Sequence, residues 1–252
     1  MTSRPRTAGL RREVTEDAMQ SLAAVDLWGG AMTCVLPEVF KDISLLKPVP
    51  DHQEMWFWGD TGTLVLLELC QEVEGHEPEE MCRMHWVEIA MVNDSAWNQV
   101  VETSVFDHQC LPNIPAEHVP WVGVCDGVQA IVKRVPPPAP APHPAEAGAD
   151  ALLGEQLQAV HIGDSAPIAG SEPKIVEVLA AVVPLSNVQT HMIISITRPL
   201  QVLEDADGAA GERDAGGSGD GDSVSVGLDP MMKPLLFAIL SSLTVNSWEL
   251  FG

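Results

Sequence analysis

The amino-acid sequence predicts an α+β domain built on a mostly antiparallel β-sheet. Short apolar segments of strand length follow one another, with only two helical patterns among them. The run Trp56-Phe57-Trp58 is apolar on both faces of a strand, as a strand covered by layers on each side requires. Two biased segments, at about 135–150 and 204–228, lack core-forming residues and read as loops inserted into one domain.

Along the chain, residues 1–25 read as a disordered polar tail and 26–252 as a single domain. The first residues carry arginines with no apolar stretch after them, which is not a secretory signal. Gly29-Gly30 precede a short strand, AMTCVLP, closed by Pro37. Residues 42–46 suit one helical turn before Pro48 and Pro50. Residues 53–58 and 63–70 read as strands. Residues 78–91 read as a helix, with Pro78 in the first turn and Glu79 and Glu80 at its positive end. Met81, Met84, Trp86 and Ile89 form its apolar stripe.

Residues 98–106 then suit a strand, and 121–134 suit two strands around Asp126-Gly127, a hairpin-type pair. Residues 174–185 and 191–200 are the next strands. Leu236, Ile239, Leu240 and Leu243 give residues 230–245 a helical spacing. The Trp56 and Trp58 side chains share one face of their strand and are expected in the core; an exposed aromatic anchor for a partner is the alternative.

Composition narrows the function classes. A chain of 252 residues buries one sizeable core. Lys and Arg number 13 against 36 Asp and Glu, a formal charge of −23, which repels phosphate backbones and argues against nucleic-acid binding. The same charge either steers the chain toward basic partners or serves solubility alone. Residues 204–222 contribute −6 of it, so the remainder is still strongly acidic. The five cysteines are odd in number and form no dense framework, which fits a reducing compartment. No apolar run is long enough to span a membrane.

Catalytic motifs are missing. No Gly-x-Ser-x-Gly, Walker-type loop or Cys-x-x-Cys occurs, and Gly216-Gly217-Ser218-Gly219 is a linker, not a phosphate cradle. Cys82 and His85 share a helix face near His76, too few ligands for structural zinc, so a buried Cys beside a surface His is expected. The segment Lys47-Pro48-Val49-Pro50-Asp51-His52-Gln53-Glu54 presents two carboxylates beside stiffening prolines. Its residues suit a partner contact and a simple turn equally.

This segment resembles the Val-Pro-Asp-x-Gln-Glu motif of the Ran guanine-nucleotide release factor (Mog) family of nuclear-transport factors. Leu27-Trp28-Gly29-Gly30-Ala31, Val35-Leu36-Pro37, Asp42-Ile43-Ser44, Leu66-Leu67-Glu68, Gly127-Val128-Gln129 and Leu250-Phe251-Gly252 extend the resemblance. The chain departs from the family at Val182-Val183-Pro184, Thr190-His191-Met192 and Thr197. The resemblance implies an α/β/α sandwich, similar to the PsbP extrinsic photosystem protein, with helices on both faces of the central sheet. It implies a non-enzymatic regulator that binds the GTPase Ran through a basic patch on Ran and promotes nucleotide release in nuclear protein transport. Asp51 and Glu54, both expected to be exposed, would be the acidic contacts, with Gln53, Pro50 and Lys47 shaping or flanking them. No cofactor or metal is implied, and a monomer in nucleus and cytoplasm is expected. An extrinsic structural subunit of a photosynthetic membrane, or a general protein scaffold, is the alternative on the same fold.

Overall fold

The structure is a computed structural model that describes residues 21–44, 46–73, 76–132, 173–200 and 229–251. The segments 1–20, 135–150 and 204–228, read above as tail and insertions, lie outside the described residues. The described elements run in order β1 (Leu22–Leu27), β2 (Met32–Pro37), β3 (Lys41–Asp42), β4 (Gln53–Trp58) and β5 (Thr63–Gln71). Helix α1 (Pro78–Val92) follows, then β6 (Ser95–Phe106), β7 (Val122–Ile131), β8 (Lys174–Leu185) and β9 (Thr190–Pro199). Helix α2 (Met232–Ser242), β10 (Thr244–Val245) and a 3-10 turn at Trp248–Phe251 complete them.

Seven strands form one sheet in the order β3-β4-β5-β9-β8-β7-β6, with every adjacent pair antiparallel. A second sheet, β1-β2-β10, is also antiparallel. The larger core lies between the main sheet and a layer made of α2 and the small sheet; Leu36, Val65, Ile194, Leu236 and Ile239 belong to it. Trp56 and Trp58 point into this core, as their shared parity predicts. The smaller core lies under α1, where Met81, Cys82 and Trp86 meet Cys125, Val178 and Ile193. Thus helices do cover both faces, but α2 shares its face with a small sheet.

Two local expectations are corrected and one is met. The polar tail was expected to reach residue 25, yet Leu22–Leu27 is a strand paired in register with Met32–Pro37. Its alternation is weak because two alanines and Asp26 dilute it, and pairing with the apolar β2 decides the outcome. The single turn expected at residues 42–46 does form, starting one residue later: Asp42 ends β3, and the Ile43 carbonyl accepts from Leu46 and Lys47. Residues 122–131 form one buried strand, not a hairpin at Asp126-Gly127. Gly127 is needed there for space. A Cβ on it would lie 2.0 Å from the Gln99 carbonyl oxygen and 3.0 Å from the Trp86 ring, so glycine lets α1 and β6 close onto β7.

Candidate functional site

Pro50 to Gln53 make a tight turn into β4, closed by the Gln53 N–H donating to the Pro50 carbonyl at 2.8 Å. Pro50 fixes φ and Asp51 takes the following turn position, where it projects into solvent. Among the described residues the Asp51 carboxylate has no hydrogen-bond or ion-pair partner. The turn is held from behind by Trp28. Its indole N–H donates to the Asp51 carbonyl at 3.1 Å, and its backbone N–H donates to the Glu54 carboxylate at 2.5 Å. Trp28 has φ 48° and opens the turn that Gly29 and Gly30 continue at φ 65° and 90°.

Glu54 is therefore half-buried, not exposed as expected. Its side chain points to the small-sheet side, the face it shares with Trp56 and Trp58. Burial raises its carboxyl pKa, the Trp28 N–H opposes that rise, and the Asp42 charge adds to it. Gln53 points the other way and donates to Glu68 across the β4–β5 register at 2.8 Å. His52 lies 3.4 Å from the same Glu68 oxygen. Lys47 is half-buried with its ammonium pKa lowered by burial, and no hydrogen bond or ion pair among the described residues joins it to Asp51 or Glu54. The fold thus groups Asp51, Gln53 and Glu54 with Trp28, His52 and Glu68, while Lys47 flanks them.

Beside Asp51 runs an open groove of about 330 Å³. The end of β5 supplies Leu69 and Gln71, the start of β9 supplies Thr190, and the C-terminal turn supplies Leu250 and Phe251. The Leu69 N–H donates to the His52 carbonyl at 2.9 Å, which ties one wall to the Asp51 turn. Trp248 meets His118 edge-on and packs at a tilt against Phe251, which holds the other wall. Sequence motifs marked Trp28 and Glu68 without giving either a role. The hairpin register would have placed Glu68 opposite Gln53, but the groove depends on Leu250 and Phe251 folding back from the chain's end.

A second polar cluster lies under α1. His85 is buried, against the expected surface position, and its Nε2 lies 2.9 Å from His191 Nδ1. A carboxylate only accepts, so the Glu88 contact at 2.8 Å makes His85 Nδ1 the donor. In that tautomer His85 Nε2 is the acceptor for the His191 Nδ1–H. Burial, reinforced by His85, lowers the His191 pKa to about 4. Among the described residues no group of three or more His, Cys, Asp or Glu is placed to hold a metal, and no helix is long and apolar enough to cross a membrane.

The family model described as Ran-interacting Mog1 protein matches residues 25–199. The "Ran guanine nucleotide release factor" of Danio rerio is 26% identical over 107 residues, covering 42% of this chain and 58% of that relative. The "Nuclear import protein mog1" of Schizosaccharomyces pombe is 33% identical over 73 residues, covering 29% of this chain and 38% of that protein. The chain therefore aligns with less than two thirds of either relative's length. The crystal structure of the Saccharomyces cerevisiae Ran-binding protein Mog1p superposes with a TM-score of 0.54 at 19% identity, over 92% of this chain and 99% of that one. That likeness shows the shared fold. With the family model spanning most of the described residues, the chain belongs to the Mog1 family.

Proposed function

We propose that this chain binds the GTPase Ran and promotes release of its guanine nucleotide, as a regulator without a catalytic reaction of its own. The observation that carries the reading is the Asp51 turn. It lies within the family match and displays an unpaired carboxylate on backbone held by Trp28 at both ends. A pre-formed turn loses little conformational freedom on binding, so an exposed carboxylate there meets a Lys or Arg of a basic patch efficiently. The overall charge of −23 favours encounter with such a patch. In this reading Asp51 is the direct acidic contact, Glu54 and Gln53 hold the turn's shape, Pro50 stiffens it, and Lys47 borders it. The names of the aligned relatives support a role in nuclear protein transport. In this reading the chain acts as a monomer in nucleus and cytoplasm.

The test is release of a fluorescent guanine nucleotide from Ran with increasing amounts of this chain, with Ran in either nucleotide state. Wild type accelerates release. Asp51→Ala weakens the effect by roughly ten-fold or more, about 1.4 kcal/mol, and Asp51→Lys weakens it further. A wild-type chain that neither binds Ran nor alters release in either state would sink the reading.

A further inference from the structure

We propose that the groove beside Asp51 is a receptor for one lysine or arginine side chain of the partner, a specificity pocket adjoining the acidic turn. The inference rests on the reading of this surface as the GTPase-binding face. Its chemistry is amphipathic. Leu69, Cys70, Leu250 and Phe251 give an apolar lining, while Asp51, His52, Gln71 and Thr190 give a polar margin with one carboxylate, the His52 ring lying 3.4 Å from the Glu68 carboxylate. Long cationic side chains have the matching construction, an aliphatic stem that packs on apolar surface and a charged head that stays at the polar edge. At about 330 Å³, the groove has room for such a side chain with water around its head.

An acidic or neutral apolar occupant fits less well. A carboxylate would face Asp51 within a chain of charge −23, and an apolar side chain would leave Asp51 without a partner. The walls are also fixed before binding. The Leu69 N–H bonds the His52 carbonyl at 2.9 Å, and the Glu72 N–H bonds the Gln189 carbonyl at 2.9 Å. The groove brings the Leu250-Phe251 pair against a turn whose acidic residues lie some 200 positions earlier.

Two measurements test this. In the first, capped tripeptides with a central Lys, Arg, norleucine or Glu are titrated into the full chain, and backbone amide shifts of Asp51, Leu69, Thr190 and Phe251 are followed by NMR. The Lys and Arg peptides should shift these amides, with norleucine and Glu at least ten-fold weaker. Norleucine matching Lys would overturn the proposal. In the second, Gln71→Trp fills the groove from an exposed strand end, where the fold has little to lose. This variant should abolish the peptide shifts and weaken Ran binding at least ten-fold, with a melting curve like wild type. Ran binding unchanged in Gln71→Trp, while wild type binds Ran, would overturn the pocket's role and leave the acidic turn standing. Cationic peptides that dock on a wild-type chain unable to bind Ran would uphold the pocket and remove the proposed function instead.

Discussion

The backbone N–H of Trp28 is capped by the side chain of Glu54, 26 residues away, and this bond joins the small sheet's β1–β2 turn to the first long strand of the main sheet. Trp28 adopts left-handed backbone at φ 48°, which costs a non-glycine residue on the order of 1 kcal/mol, so the contact holds a conformation that would otherwise relax. Glu54→Ala should therefore lower stability by roughly 1–3 kcal/mol, because a half-buried donor loses its acceptor. Glu54→Gln keeps an acceptor oxygen and should cost less. Urea unfolding of the two variants measures the difference. Loss of partner binding in Glu54→Ala would then reflect a loosened turn, and Asp51→Ala, which removes an exposed side chain, should leave unfolding unchanged.

Lys233 ties α2 to the sheet. Its ammonium donates to Asp126 Oδ2 and to Glu102 Oε2, each at 3.0 Å. Asp126 is buried, and its other oxygen has no partner among the described residues. Removing the lysine leaves that carboxylate without its counter-charge. Lys233→Met should destabilise by roughly 1–2 kcal/mol, a figure reduced because the ammonium is half exposed. Adding Asp126→Asn should recover part of the loss, read from a double-mutant cycle of denaturant midpoints. A double-variant loss equal to the sum of the two single-variant losses would show that the pair does not interact energetically.

What the sequence makes legible follows from periodicity and local chemistry. Strands β4, β5, β8 and β9 are apolar enough that burial alone sets their limits, and α2 shows its core face in Leu236, Ile239 and Leu240. Residues 126 and 127 mislead because Asp-Gly is a turn signal locally, while the Gln99 carbonyl of β6, together with Trp86 of α1, demands a residue without Cβ at that point of the sheet. Strands β1 and β10 are invisible for a related reason: each exists only through pairing with β2. At the site, the Asp51 turn is local and readable. The half-buried state of Glu54 is not, since it depends on Trp28 arriving from another sheet.

Gly123 gives a separate test of packing under α1. A Cβ at this position would lie 2.0 Å from the Cys82 sulfur and 3.2 Å from the Trp121 ring. Gly123→Ala should therefore push α1 off the sheet and cost on the order of 1–3 kcal/mol. The closest clash is with a side chain, so Cys82→Ala in the same chain should restore a good part of the stability. Gly127→Ala meets a backbone carbonyl instead, and no single side-chain truncation should rescue it. Melting temperatures of these three variants check the ordering.

The His85–His191 pair predicts how stability depends on pH. The folded pKa of His191 is about 4, below its ordinary 6.5, because burial and the neighbouring His85 both disfavour its charged form. Unfolded chains thus bind a proton at this histidine between pH 6.5 and 4 that folded chains do not. The contribution is complete above 6.5 and is lost as pH falls toward 4, reaching at most about 3 kcal/mol for a shift of this size. Glu88 on the solvent side of His85 and Cys70 across the β5–β9 register are the other ionisable neighbours. Burial pushes the Cys70 thiol up to about 12, so it stays neutral through this range. His191→Asn offers an amide N–H near the position of Nδ1 and can still donate to His85, but it does not titrate. Denaturant midpoints measured from pH 7 to 4 should fall less steeply in His191→Asn than in wild type. Parallel curves would mean that carboxylates elsewhere, not His191, govern the acid limb.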